Sequence, residues 1–187
     1  MSLKFCSLCD RNIGNPISID KSKIDLLVVG GTLSNDEEMV GRAFESRSGA
    51  LIRKLIFESG FKNGEVGFTP VVRCGTMKPK RSEIRACLWW LISEINELQP
   101  KAILALGLDA AYQCARAKDF SERFGERIDN MGPTPVWIWH APNKILKGSR
   151  AMVEDTKTLI KGIYEFASQT ERMDKKTETV SRRKSIL

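Results

Sequence analysis

Four short apolar runs recur along the chain, IDLLVVG (24–30), VGFTPVVRC (66–74), KAILALG (101–107) and TPVWIWH (134–140), and stretches of helical periodicity separate them. A strand that is apolar throughout has no solvent face and needs cover on both sides. SGALIRKLIFESG (48–60), SEIRACLWWLISEINEL (82–98), LDAAYQCARA (108–117) and SRAMVEDTKTLIKGIYEFA (149–167) supply that cover. Gly60 reads as a helix stop and Ser82 as an N-cap. Pro70 removes a ladder donor and confines the second run to an edge, a bulge or a strand end. The alternation predicts an α/β fold, three layers α/β/α around a central four-stranded parallel sheet.

A chain of 187 residues has room for one sizeable core. We therefore expect a single domain over 1–167. From Ser168 the sequence SQTERMDKKTETVSRRKSIL offers almost nothing large and apolar to bury, so 168–187 reads as a mobile basic tail. Lys and Arg outnumber Asp and Glu by 30 to 23, a net charge of +7, which points to a polyanionic partner such as DNA. No stretch resembles a signal peptide or a membrane span, so a cytoplasmic, monomeric protein is expected.

In a reducing compartment cysteines serve metals more often than disulfides. Cys6 and Cys9 form a C-x2-C pair, Cys74 ends the second strand and Cys87 lies within the following helix. Two such pairs can converge on one tetrahedral site, for zinc or for an iron-sulfur cluster. Cys114 reads as a small core residue, and the four tryptophans read as packing residues.

Ligands of parallel sheets bind beyond the carboxyl ends of the strands. Here those ends carry Gly30-Gly31, Arg73-Cys74 and His140, the one histidine of the chain. After Gly31 the sequence runs through Asn35, Asp36 and Glu37 to Gly41-Arg42-Ala43-Phe44. Arg42, Arg73, Lys78, Lys80, Arg81, Lys144 and Lys147 lie in or beside the strand-end loops, where phosphate contacts would form.

Read in order, these stretches resemble the family 4 uracil-DNA glycosylases, the iron-sulfur members of their superfamily. DEEMVGRAFESRSGALI (36–52) is similar to that family's acidic-Gly-Arg-Pro-Phe-x-x-x-x-Gly-x-Leu-Leu stretch, TPVVRC (69–74) to Thr-Asn-x-x-Lys-Cys, and EIRAC (83–87) to Glu-Ile-x-x-Cys. LQPKAILALGLDA (98–110) is similar to Leu-x-Pro-Lys-x-Ile-x-Ala-Leu-Gly, and WHAP (139–142) stands where the family has His-Pro-Ser. The resemblance implies a [4Fe-4S] cluster on Cys6, Cys9, Cys74 and Cys87, and a pocket at the strand ends for a base extruded from DNA. It implies that Phe44 stacks on that base and that His140 stabilises the base as it departs.

The departures from the pattern fall in the pocket. The family's Gly-Glu-Ala-Pro-Gly is here Gly30-Gly31-Thr32-Leu33-Ser34, so an acid gives way to a residue without a side chain. Its edge-reading asparagine is replaced by Pro70, which offers no side-chain hydrogen bond. Base-binding positions are thus Gly30, Gly31, Phe44 and Pro70, and Asn35, Asp36 and Glu37 are the nearest groups for positioning a water. The expectation is a DNA glycosylase acting on a modified or bulky pyrimidine, as in hypermodified phage DNA, which would be a defence role. Conventional uracil repair and a DNA-binding relative without activity are the alternatives.

Overall fold

The structure, a computed structural model, describes residues 6–9, 24–74, 78–116, 122–129 and 132–184, with side chains described as far as residue 170. Its elements run β1 (Leu26–Thr32), α1 (Asn35–Val40), α2 (Arg47–Glu58), β2 (Val66–Val72), α3 (Arg81–Leu98), β3 (Ala102–Leu106), α4 (Leu108–Ala115), β4 (Arg127–Ile128), β5 (Val136–Trp139), α5 (Pro142–Lys147) and α6 (Arg150–Lys184). The sheet order is β2-β1-β3-β5-β4. β1, β2, β3 and β5 are parallel, as the apolar runs predict. A fifth strand, β4, pairs antiparallel with β5 at the edge. It is two residues long, too short to show any periodicity.

Side chains alternate across β1 and divide the core into two layers. Leu26 and Val28 pack with Ile52 and Ile56 of α2 and Ile160 and Ile163 of α6. Leu27 and Val29 pack on the opposite side with Leu91 of α3 and Ala110 and Ala111 of α4. β2 is an edge strand, which is where a proline within a strand is tolerated, and Pro70 lies in register with Gly30. From β1 the chain adds β2 on one side and then β3 on the other. The reversal opens a crevice beyond the carboxyl ends of β1 and β3.

Several boundaries differ from the sequence expectation. Lys80, not Ser82, caps α3, and the Lys80 backbone N–H donates to Glu83 Oε2 at 2.7 Å. α1 and α5 are short helices in stretches that read as loops. α6 runs on to Lys184, so the backbone after Ala167 continues as helix where a mobile tail is expected. The basic side chains of that tail lie outside the described ones.

Arg73 is also placed differently from its sequence reading. It is 2% exposed and its guanidinium is committed inward, donating from Nη1 to Glu94 Oε1 at 2.7 Å and from Nη2 to Thr69 Oγ1 at 3.1 Å. Nη2 also pairs with Glu94 Oε2. A buried pair of this kind anchors α3 to the end of β2 and is not available to a phosphate. Removing one partner strands the other charge in a low dielectric. We expect Glu94→Ala to lower stability by about 3 kcal/mol or more in urea unfolding. Replacing Arg73 and Glu94 together by methionine should cost clearly less.

Candidate active site

The end of β1 is shaped by a helix cap. Ser34 accepts from the Glu37 backbone N–H through Oγ at 3.3 Å, and Glu37 Oε2 accepts from the Ser34 backbone N–H at 2.9 Å, a reciprocal capping box. Glu37 Oε1 accepts from both the backbone N–H and the hydroxyl of Ser46, at 3.3 and 3.0 Å. Both oxygens of this buried carboxylate therefore tie the two ends of one loop together. Glu37 organises the wall of the site and is itself among the residues that line the cavity described below. Asn35 and Asp36 are exposed on the first turn of α1 and are not among the residues that line that cavity.

Gly41, at φ 71°, turns the chain out of α1 and back toward the sheet. Phe44 follows in the left-handed region at φ 61°, rare for an aromatic residue. Its backbone is held from two sides. Arg53 donates from Nε to the Phe44 carbonyl at 3.0 Å and from Nη2 to the Ala43 carbonyl at 2.8 Å. Gly49 lies so close that a β-carbon there would stand 2.4 Å from Phe44 Cα. The Phe44 ring lies over Gly30, where a β-carbon would meet Cζ at 2.9 Å, and packs on Phe68 with centroids 5.4 Å apart.

A cavity of about 420 Å³ opens beside that ring, the size range of small-molecule sites. Gly30, Gly31, Phe44 and Pro70 all line it, so the structure brings the expected base-binding positions together. Ala141, Pro142 and Asn143 form part of the opposite side, and Asn143 supplies the one side-chain amide among the described lining residues. Asp109, on the first turn of α4, lines the cavity too, and its Oδ2 stands 3.9 Å from where a Gly31 β-carbon would be. In sequence it is an unremarkable first-turn acid; only its opposition to Gly31 distinguishes it.

His140 follows β5 but is not among the lining residues, although the next three residues are. Its ring packs against Phe124 with centroids 3.7 Å apart and against Trp139 at 5.1 Å. Nδ1 is buried without a hydrogen-bond partner among the described residues. Burial, and then the positive charge of Lys144, hold its pKa below the ordinary imidazole range.

Cys6, Cys9, Cys74 and Cys87 are free thiols. Burial raises the Cys74 pKa first, with Cys87, Cys6 and Cys9 adding to the shift, so all four sulfurs lie within electrostatic range. The Cys87 thiol is likewise raised by burial and feels Cys9 and Cys6. Trp90 Nε1 donates to Cys6 Sγ at 3.4 Å. Among the described residues no three such ligands close to the spacing of a single metal ion. Cys114 is apart from this group, and burial pushes its thiol up to about 12, as suits a core residue. Trp89 departs from the packing role expected of the tryptophans, being 63% exposed on α3.

Of the basic residues expected at phosphates, Arg42, Lys78, Lys80, Arg81, Lys144 and Lys147 are exposed. Arg81 joins two residues the sequence reading did not single out, Arg85 and Arg116, along a groove of about 450 Å³ between α3 and α4. Leu108 and Asp109 line both that groove and the cavity, so the two adjoin. No helix among the described residues is long and apolar enough to cross a membrane.

Residues 17–165 match the family model described as the uracil DNA glycosylase superfamily. Among curated proteins, the chain is 34% identical over 113 residues to the type-4 uracil-DNA glycosylase of Pyrobaculum aerophilum, covering 59% of this chain and 55% of that protein. It is 28% identical to the Thermotoga maritima enzyme of the same name, covering 78% and 80% of the two chains. The Sulfurisphaera tokodaii protein, also so named, is 33% identical over 73% of this chain and 63% of its own. The matched region thus spans about half the length of the first of these relatives and four-fifths of the second.

A single histidine makes the imidazole environment directly readable by NMR. Its carbon-bound protons should titrate with a midpoint below the ordinary imidazole value, leaving the ring neutral at pH 7. Lys144→Gln should move that midpoint up. Because the unfolded chain takes up the proton first as pH falls, stability should decline as the solution is acidified through that window.

Proposed function

The chain belongs to the uracil-DNA glycosylase superfamily, and from that premise we propose that it is a DNA glycosylase whose pocket takes a base larger than uracil. The observation that carries this reading is the floor of the cavity. Where the resemblance leads one to expect an acid at position 31 and an amide at position 70, there stand a glycine and a proline, beneath about 420 Å³ of open space.

A glycosidic bond inside a duplex is inaccessible, so the nucleotide is turned out of the stack and its base enters the cavity. Phe44 presents a fixed ring face there, and stacking repays part of the cost of leaving the duplex. Asn143 has both a donor and an acceptor for the base edge, in place of the amide missing at Pro70. Gly31 leaves room for a substituent on a modified pyrimidine. Neutral His140, next in sequence to the cavity-lining Ala141, is the group that donates a hydrogen bond to the departing base. Arg81, Arg85 and Arg116 in the adjoining groove, with Lys144 and Lys147 on α5, meet the phosphates on either side. Hypermodified phage DNA carries bases of the required bulk, so the biological role of this reading is defence.

Four thiols from the N-terminal segment, the end of β2 and α3 lie within electrostatic range of one another, and we assign Cys6, Cys9, Cys74 and Cys87 to a [4Fe-4S] group. Such a group would supply bracing between these segments. The backbone N–H of Arg73 donates to Cys87, which orients that ligand. Protein purified without oxygen should be brown and contain iron and sulfide. Changing Cys74 or Cys87 to Ala should remove the colour and destabilise the fold.

The function is tested by incubating the protein with oligonucleotides carrying uracil, 5-methylcytosine, 5-hydroxymethylcytosine or bulkier 5-substituted cytosines, and identifying released bases by mass spectrometry. Release of a bulky base faster than uracil is the expected result. Release of uracil alone identifies a conventional repair enzyme, and binding with no release from any template identifies a relative without activity. Gly31→Glu, which places a side chain in the open space, should slow release of the bulky base at least about tenfold.

A further inference from the structure

The cavity contains two carboxyl groups, and they are not equivalent. Both oxygens of Glu37 are engaged by Ser34 and Ser46. Asp109 accepts no hydrogen bond and forms no ion pair with any described residue, yet it faces the cavity. Its Oδ2 lies 3.9 Å from the point at which a side chain on residue 31 would begin. The space beside Gly31 that lacks an acid of its own is therefore served by an acid from another element. β3 and Gly107 aim α4 at that space: Gly107 adopts φ 95°, and its N–H donates to the Trp139 carbonyl at 2.9 Å, which fixes where the first turn begins.

We infer that Asp109 is the catalytic carboxylate of this site, the group that orients the attacking water and faces the positive charge that develops on the sugar. The inference rests on the glycosylase reading but not on which base is released. In the reaction the C1′–N bond breaks and its electron pair leaves with the base, while a bond forms between the water oxygen and C1′. The water's proton passes to Asp109 and from there to the departing base, so the net change is hydrolysis. A carboxylate across from C1′ lowers the energy of a cationic sugar more than that of a neutral one. Asp109 is also positioned on the boundary between the cavity and the arginine groove, where the sugar of an everted nucleotide must lie if its base is in one and its phosphates are in the other.

The test measures affinity for two duplexes that contain no scissile base. One carries a cationic pyrrolidine in place of the sugar at one position, and the other a neutral tetrahydrofuran. The wild-type protein should bind the cationic duplex at least about tenfold more tightly, the margin expected of a transition-state-like charge. Asp109→Asn should abolish that preference and leave affinity for the neutral duplex unchanged, which a merely structural role would not do. Adding Gly31→Glu to Asp109→Asn should restore part of it, because the new carboxylate enters the same space. On whichever base the wild type releases, Asp109→Asn should lower the single-turnover rate by about 100-fold or more. A wild type indifferent to the charge, or an Asp109→Asn protein that keeps the preference, overturns the inference while leaving the glycosylase reading intact. Failure of the wild type to bind either duplex overturns both.

Discussion

The contact between Phe44 and the two glycines beneath and beside it determines what the rest of the site can be. An aromatic residue in the left-handed region costs on the order of 1–3 kcal/mol, and it persists only where its surroundings leave no alternative. Here the surroundings are Arg53, which bonds the carbonyls on both sides of the turn, and Gly49, whose missing β-carbon lets the backbone come into contact. Arg53 also lies over the Phe68 ring at 4.0 Å, so one guanidinium fixes both the strained turn and the aromatic pair that continues from it. Gly30 then accepts the ring at a distance no side chain would permit. The outcome is an aromatic ring, 5% exposed, fixed at the end of the central strand on the border of the cavity.

Around that face the remaining elements divide the labour by chemistry. α1 and its cap consume a carboxylate to close the loop, and α4 leaves one open to the cavity. The segment after β5 brings an amide, and the surfaces of α3, α4 and α5 carry the positive charge. Two of the four cysteines, Cys74 and Cys87, flank the place where Arg73 and Glu94 pin α3 to β2. Site and scaffold share residues, since Leu33, Ala43, Phe44 and Leu106 belong both to the cavity wall and to the core.

How far the sequence discloses this depends on the range of the interactions. Strands covered on both faces are apolar along their whole length, so β1, β2, β3 and β5 are legible, and the turn residues between them locate the helices. The six-residue helices α1 and α5 are too short to show a helical period, and β4 shorter still. Glu37 was readable as a cap from the Ser-x-x-Glu spacing, a local signal overshadowed by its position beside the glycines. Arg73 was not: its partner Glu94 lies 21 residues away on another element, and no spacing rule links a strand end to the middle of the following helix. Asp109 was hidden for the same reason, because its meaning comes from what Gly31 lacks. The ordered motifs discloses family membership well; the chemistry of the pocket resides in contacts between motifs.

The central claim is that an everted, enlarged base rests on Phe44 above Gly30 and Gly31. A crystal structure with duplex DNA carrying a 5-substituted cytosine on a 2′-fluorinated sugar, which resists cleavage, examines that directly. The account predicts the base turned out of the helix, its ring parallel to Phe44 and its substituent in the space beside Gly31. A base left stacked in the duplex, with the cavity turned away from the DNA, would contradict it.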